Sequence, residues 1–331
     1  MKNILSKITF LCLFVMIFVS CKKDKLDSSN QKLVSSFTYT VGTDSTKNFS
    51  EEKFIYNNAG QLIRVEFENK ENGIAKYKRY TDYEYNTDSL LSKVLSVGTL
   101  GVIFSNTISY NYTNKILTNY KHSSSSRNDE YNYVYNTDGT LMKMTWIYNS
   151  VPTDYTYKYV DNKINSYEKK EGLYTDKYVV EGFNNNGLVA NIINYSLNFS
   201  NPPIHRNRYS YDDEGNITQS VYEYNGVVKE TSTSVFDNKK PIHNLSSPLL
   251  PKINEPFYGR IGYSETHNRL SYTVTDTDVN NREYIRERLT NTYEYNSQGY
   301  PTKITQNGTS YNEDGSVRDT RKTTITTYKF Q

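Results

Sequence analysis

Residues 133–144, YVYNTDGTLMKM, alternate apolar and polar positions on either side of a polar turn, and close relatives of this pattern recur along the chain. Period-two alternation flanking Asn, Asp and Gly predicts a β-hairpin. Written as aromatic, three residues, Gly, one residue, aliphatic, the unit occurs at Tyr56…Gly60…Leu62, Tyr135…Gly139…Leu141, Phe183…Gly187…Val189 and Tyr211…Gly215…Ile217. It continues at Tyr295…Gly299…Pro301 and Tyr311…Gly315…Val317, and at Tyr85…Ser89…Leu91 with Ser in the Gly slot. Shorter versions without Gly start at Tyr112, Tyr159 and Phe236.

The aromatic anchors at 56, 85, 112, 135, 159, 183, 211 and 236 are 23 to 29 residues apart, an interval that holds two strands and two turns. Asn or Asp after the aromatic suits the first position of a type I turn. Gly three residues later can take the left-handed conformation that closes a bulge. Ser89 must enter that conformation without glycine's freedom, which predicts a weaker turn there. The bulge count places each aromatic anchor opposite the aliphatic residue six positions on. It also predicts cation–π pairs between Phe54 and Arg64, Tyr83 and Lys93, Tyr133 and Lys143, and Tyr293 and Lys303.

Tyr-x-Tyr doublets such as 83/85, 110/112, 133/135, 157/159, 209/211, 222/224 and 293/295 put successive rings on one face. The intervening residues vary from Ile55 and Val134 to Glu84 and Glu294, so the tyrosine face is expected to be the covered, structural one. The pattern breaks between Phe236 and Tyr295, where Pro241, Pro248, Pro251 and Pro256 fall together; a proline-dense stretch cannot be a central strand. The expected fold is all-β, a large antiparallel meander of about ten tyrosine-rich hairpins closing into a barrel. It occupies residues 37–331, with an irregular insertion near 241–262 that crosses the sheet or plugs the lumen.

The first residues follow a different rule. Lys2 and Lys7 precede an apolar run from Ile8 to Val19, too short for a bilayer span of ~20 residues, so residues 1–20 are expected to be an export signal. Phe18-Val19-Ser20-Cys21 resembles a bacterial lipobox, which implies cleavage before Cys21 and lipidation of its thiol and new amino group. Acyl chains on Cys21 would exceed the two anchoring signals needed for stable attachment. Residues 22–36, polar and without periodicity, are expected to be a flexible tether. Cys12 would be discarded, which leaves the mature chain without a disulfide.

Composition sharpens this picture in two ways. Tyr supplies 33 residues and mean hydropathy is -0.76, as a strand-rich, water-facing protein would have. The formal charge of +3 falls to +1 without Lys2 and Lys7, which argues against a nucleic-acid partner.

Tyr211-Asp212-Asp213-Glu214-Gly215-Asn216-Ile217 resembles the YD repeat of RHS-type proteins, which build large β-sheet shells. The lipobox, the hairpins, Glu255-Pro256-Phe257-Tyr258-Gly259 and residues 293–304 together resemble an uncharacterised family of Bacteroidota lipoproteins of porin-like fold. That resemblance implies one large barrel anchored to the outer membrane, on its periplasmic or its outer side, and brings no activity or site residues with it. A barrel shape does not make a pore: Arg286, Arg288, Thr290 and Glu294 alternate with Glu287, Leu289, Asn291 and Tyr293, so neither face of that strand suits lipid.

No catalytic, cofactor-binding or metal-binding residue is singled out; Cys21 is the one assigned site, for lipidation. His122, His205, His243 and His267 are far apart in sequence, and no HExxH pair or GxSxG elbow occurs. Asp276 to Glu287 has the length of a calcium loop, but Asn281 stands where Gly is required, so a polar hairpin tip is the expectation. The expected role is a lipid-anchored scaffold or binding protein, not an enzyme, with a glycan or an envelope protein as partner. A polysaccharide hydrolase with a hidden carboxylate pair and a pore are the alternatives. The break in the repeat, residues 241–290, is where a site is expected.

Overall fold

A computed structural model describes residues 32–98, 104–242, 267–278 and 280–331, and Leu33–Gln331 forms one compact unit. The strands are β1 (Leu33–Thr40), β2 (Phe49–Tyr56), β3 (Leu62–Glu71), β4 (Ile74–Tyr85), β5 (Leu91–Gly98), β6 (Phe104–Thr113) and β7 (Ile116–Ser124). Then come β8 (Asn128–Tyr135), β9 (Leu141–Tyr148), β10 (Val151–Val160), β11 (Lys163–Glu171), β12 (Tyr174–Phe183), β13 (Val189–Ser196) and β14 (His205–Tyr211). The last are β15 (Ile217–Tyr224), β16 (Val227–Phe236), β17 (Arg269–Thr277), β18 (Glu283–Tyr295), β19 (Pro301–Tyr311) and β20 (Val317–Phe330). Each pairs antiparallel with its sequence neighbours, and β20 pairs with β1, so the meander closes into a 20-stranded barrel. Residues 1–20, Cys21, residues 22–31 and 243–266, with His243, lie outside the described residues.

All but one of the anchored repeat turns lie at one end of the barrel, here the base, with both ends of the described barrel; the opposite end is the rim. The turn at Asn312–Ser316 has the same chemistry but joins β19 to β20 at the rim. In each full turn the first residue's amide donates to the carbonyl four residues on, and the fourth residue's amide donates back, as in Asn57 N to Gln61 O and Gly60 N to Asn57 O, both 2.9 Å. Asn86, Asn184 and Asn296 also accept two amides each on Oδ1, which explains Asn at the first position. Ser89 takes φ 62° in the Gly slot.

The anchors oppose the expected residues: Tyr56 faces Leu62, Tyr85 faces Leu91, Tyr135 faces Leu141 and Tyr211 faces Ile217. The next pairs do not follow the expectation. The bulge takes up the residue after each aliphatic one, so Phe54 faces Val65, Tyr83 faces Val94, Tyr133 faces Met144 and Tyr293 faces Ile304. The four expected cation–π pairs are therefore absent. The cations fall on the other face, where Lys93 meets Glu84 at 2.9 Å and Lys303 meets Glu294 at 2.7 Å. The bulge hydroxyls of Ser92 and Thr302 donate to the carbonyls of Glu84 and Glu294.

One hydrogen bond recurs between hairpins. The ladder between β3 and β4 stops at Arg64 and Asp82, short of the base, and leaves the Leu62 carbonyl without a strand partner on that side. Tyr85, three residues beyond Asp82, donates its hydroxyl to that carbonyl at 2.8 Å. The same offset gives Tyr112 to Leu91, Tyr135 to Leu117, Tyr159 to Leu141, Tyr211 to Val189, Tyr293 to Arg269 and Tyr56 to Leu33, at 2.7 to 3.0 Å. In β12, β16 and β20 the equivalent positions are Gly182, Phe236 and Phe330. Burial pushes the Tyr56, Tyr159 and Tyr211 hydroxyls up to about 12.

The barrel closes on a repeat split between its two ends. Phe330 opposes Leu33 and the register slips between Leu33 and Ser35, just as Tyr56 opposes Leu62 before its own bulge. Leu33 is fully buried, so residues 33–36 belong to the sheet and not to a tether; the aliphatic slot is filled before the polar tether composition ends.

The repeat does not fail after Phe236 either. Asp237 Oδ1 accepts the amides of Lys239 and Asn268, and Asp237 N donates to Asn268 O, so Asn268 plays the fourth-on residue of an ordinary turn. Phe236 then opposes Arg269. The proline-rich stretch is thus an insertion inside one turn. Its described start crosses the base: Lys240 lies 5.2 Å over the Tyr300 ring, and Ile242 packs against the buried cluster Leu33, Phe54, Leu62 and Val65.

The two faces differ as expected. Leu91, Leu117, Leu141 and Met144 on the tyrosine face are 2 % exposed or less, whereas Ile55, Val134 and Val160 on the other are 39 to 58 % exposed. Every described strand belongs to the one closed sheet, so the face that loses solvent is the concave, inner one. The outer face carries cross-strand ion pairs, among them Arg64 with Asp82, Lys121 with Glu130 and Lys143 with Asp154.

Each hydroxyl stitch should contribute ~1 kcal/mol, the usual net value of a buried hydrogen bond. In urea titrations, Tyr85→Phe, Tyr112→Phe and Tyr135→Phe should each lose about that much, while Tyr174→Phe at the exposed rim stays within ~0.5 kcal/mol of the parent. Equal losses at all four positions would refute the stitch. Alkali tests the same bonds. A hydroxyl raised to about 12 contributes stability that is complete below the ordinary tyrosine value of ~10 and is lost as pH rises through its folded value. Circular dichroism should therefore show the barrel opening between pH ~10 and ~12.

Candidate functional site

Toward the rim the inner wall changes character, and three groups of polar side chains face inward. In the first, Asp129 on β8 is almost fully buried and accepts three donors: Trp146 Nε1 at 3.1 Å, the Arg127 guanidinium, and His122 Nδ1 at 3.3 Å. Register explains the meeting. His122 opposes Asp129 across β7 and β8, and Trp146 on β9 opposes Tyr131, two residues along β8 on the same face. Hydrogen bonding to Asp129 raises Arg127 further into its charged range. Burial, then the Asp129 charge, raises Tyr120.

Around this carboxylate runs an aromatic stripe across four strands. Tyr110 meets Tyr120 at 5.4 Å, Tyr120 meets Tyr131 at 5.1 Å, Tyr131 stacks on Trp146 at 6.0 Å and 9°, and Trp146 meets Tyr148 at 5.9 Å. Tyr148 is 42 % exposed at the rim, so the stripe grades from packed to open. The carboxylate fixes the indole and imidazole edges. The stripe supplies flat apolar area beside them, the combination that holds a flat ligand bearing polar edges.

The second group joins His205 Nδ1 to the Tyr222 hydroxyl at 2.7 Å, with the His205 ring 5.1 Å from Tyr224. In the third, Arg286 bridges Asp276 and Glu230, 2.9 Å from each. On the outer face Arg206 similarly bridges Glu181 and Glu223. A glycosidase needs one carboxyl free to give a proton and another free to face the sugar. Both members of each of these pairs are occupied by a guanidinium, so neither supplies that chemistry.

Of the expected site at residues 241–290, residues 243–266 and 279 lie outside the described residues, and its described part contributes Asp276 and Arg286 to the third group. Asp278 closes an ordinary turn, accepting the amides of Asn280 and Arg282 at 2.8 Å and pairing with the Arg282 side chain, with Asn281 at φ 59° in the Gly slot. The Asp276 to Glu287 stretch is thus a hairpin tip, and Glu287 pairs with Arg321. Among the described residues no group of His, Cys, Asp and Glu side chains could hold a metal ion. His267 contacts Asn216, and Cys21 lies outside the described residues. Sequence reasoning missed Asp129 and Trp146, although Trp146 is the only tryptophan in the chain.

These features define a closed antiparallel barrel with a charged outer wall and an aromatic inner wall. No protein-family model and no curated protein matches the chain. Among solved structures it is similar to a porin-like protein from Bacteroides uniformis, at 12% identity and TM-score 0.40, covering 90% of this chain and 96% of that one. A porin-like protein from Bacteroides vulgatus is similar at 10% identity and TM-score 0.32, covering 90% and 98%. The TcdB2-TccC3-Cdc42 structure is similar at 11% identity and TM-score 0.38; the likeness covers 84% of this chain but 16% of that one. At these values the likeness carries nothing about activity.

Loss of the Asp129 carboxylate would strand Arg127, His122 and the Trp146 N–H on the inner wall. Asp129→Leu should lower stability by ~2–4 kcal/mol in urea titrations and shift Trp146 emission, against less than ~1 kcal/mol for Asp154→Leu on the exposed outer wall. Equal small losses would show that the Asp129 cluster is not a structural centre.

Proposed function

We propose that this chain is a lipid-anchored barrel of the outer membrane that binds a glycan on its inner wall. The observation that supports this most directly is the aromatic stripe reaching the rim, with its only indole held by Asp129 while the outer wall is laced with ion pairs. Rings on an exposed inner surface suit the apolar faces of sugars. Outer ion pairs such as Lys78 with Glu68 and Lys121 with Glu130 do not suit hydrocarbon, which needs a continuous apolar band ~25 Å tall, so the barrel is read as standing in water and not as a pore.

The anchor fits this arrangement. The chain enters the barrel at Leu33 on the base, and a lipid on Cys21 would lie a dozen residues upstream, within ~40 Å of extended chain.

Two measurements bear on the proposal. Labelling of growing cells with a tagged fatty acid should mark the parent and not Cys21→Ser, and no label on the parent, or equal label on both, would exclude lipid anchoring at Cys21. Calorimetry of the mature chain against neutral and acidic envelope glycans should give a saturable heat with at least one of them; none with any would rule out the glycan reading.

A further inference from the structure

Three neighbouring rim tips hold out exposed apolar side chains: β11–β12 around residues 172–173, β13–β14 over 197–204 and β15–β16 around 225–226. Leu173 is 89 % exposed, Tyr174 67 %, Phe199 59 % and Leu197 49 %, and Ile204 and Val227 stand exposed on the same arc. A single exposed apolar residue is ordinary, whereas a run of them on adjoining turns marks a contact surface. The tips themselves, residues 172–174, 197–204 and 224–227, carry no charge. By contrast, Asp44, Glu71, Asp278 and Asp314 stand in or beside other rim turns.

Two features of the arc point to what covers it. The first is a backbone closed against itself. Leu197 N donates to Thr175 O at 2.7 Å, Thr175 N to Asn198 Oδ1 at 2.6 Å and Asn198 Nδ2 to Leu173 O at 2.7 Å. On the other flank Asn225 N donates to Ile204 O and Ile204 N donates to Asn225 Oδ1, both at 2.8 Å. A turn in water can leave such groups to the solvent, but backbone that enters an apolar layer must bring its partners along. The second is charge. Glu171 meets Lys169 at 3.3 Å, Glu181 and Glu223 are taken up by Arg206, Glu230 meets Arg286 at 2.9 Å, and Asp176 opposes Lys169 on the inner wall. Among the described residues Lys170, Lys177 and Lys229 form no ion pair, so the charge left over beside the tips is positive.

We infer that the β11–β16 arc of the rim docks on a lipid bilayer: Leu173, Tyr174, Leu197 and Phe199 enter the boundary between headgroups and acyl chains, and Lys170, Lys177 and Lys229 meet lipid phosphates. Convex tips suit a fluid layer, which moulds around them, and offer no groove to a peptide. Interfacial apolar groups sink ~5–10 Å into that boundary, so the tips alone need enter and the ion-paired outer wall stays in water. The arc takes six of the twenty strands, so the mouth of the barrel is not sealed. This contact goes beyond the glycan reading and needs no lipid on Cys21.

Residues 22–331 contain the whole compact unit and neither cysteine, so they carry no acyl chain and take a dye at any single introduced thiol. This chain should float with vesicles of phosphatidylethanolamine and phosphatidylglycerol. Leu173→Asn and Phe199→Asn should each weaken vesicle binding ~10-fold or more, the effect of losing one buried apolar side chain. Val160→Asn, at the base and 58 % exposed, should leave it unchanged. An environment-sensitive dye should shift to the blue on vesicle addition at Leu173→Cys and stay constant at Val160→Cys. Near-ultraviolet circular dichroism checks that each variant folds, and should an Asn variant fail to fold, the dye pair decides alone. No flotation, flotation that both rim changes leave at parent strength, or a dye shift confined to Val160→Cys overturns the lipid contact. A parent that sediments as a dimer without floating, and as a monomer in Leu173→Asn and Phe199→Asn, assigns the arc to a second copy and overturns it too. None of these outcomes touches the glycan reading, which calorimetry against glycans tests separately.

Discussion

The hydrogen bond from a tyrosine hydroxyl to a backbone carbonyl of the preceding hairpin is the interaction on which the barrel depends. Each base hairpin ends in a bulge, and the ladder to the next hairpin stops before it reaches that bulge, so a carbonyl is left without a strand partner. A buried carbonyl in that state is costly. A tyrosine three residues past the last ladder pair has the reach to cover the gap, and phenylalanine would fill the same space without the donor. Seven of the 33 tyrosines meet this requirement, at seven of the ten junctions between hairpins.

That bond also sorts the two faces. An anchor that must touch the neighbouring hairpin through its hydroxyl lies flat along the inner wall, and the leucines opposite it pack beneath. Because the bulge consumes one residue, the charged position after it turns outward and finds a carboxylate on the adjoining strand. The bulge, the inner aromatic wall and the outer ion pairs are thus one device. The same device closes the barrel, since Leu33 and Phe330 take the aliphatic and aromatic roles of a hairpin whose turn is missing. Toward the rim, where the ladders need no stitch, the inner wall is released from this duty and carries Asp129, His205 and Arg286 instead.

Much of this was legible along the chain. The spacing of the anchors, the Asn or Asp after each, and the Gly slot gave the hairpins, their number and the covered face. The slip at the bulge is not legible: period-two alternation looks the same on either side of an inserted residue, so alternation alone pairs Tyr83 with Lys93 where the sheet pairs it with Val94. The split closing repeat was hidden because its halves are nearly 300 residues apart, although Leu33-Val34-Ser35 has the look of Leu91-Ser92-Lys93 and Tyr328-Lys329-Phe330 that of a doublet. The proline-rich stretch masked the turn it interrupts. The Asp129 group was invisible for a related reason: His122, Asp129 and Trp146 meet only when three strands are laid in the correct register, and one of those registers contains a bulge.

Five of the seven carbonyls that receive a tyrosine hydroxyl belong to leucines, at positions 33, 62, 91, 117 and 141. Infrared spectroscopy of protein labelled with carbon-13 at the leucine carbonyls therefore reads the stitch itself. The labelled amide band should contain a low-frequency component from hydrogen-bonded leucine carbonyls, and that component should weaken stepwise as Tyr56, Tyr85, Tyr112, Tyr135 and Tyr159 are changed to Phe in folded protein. A labelled band that stays the same through all five changes would contradict the account.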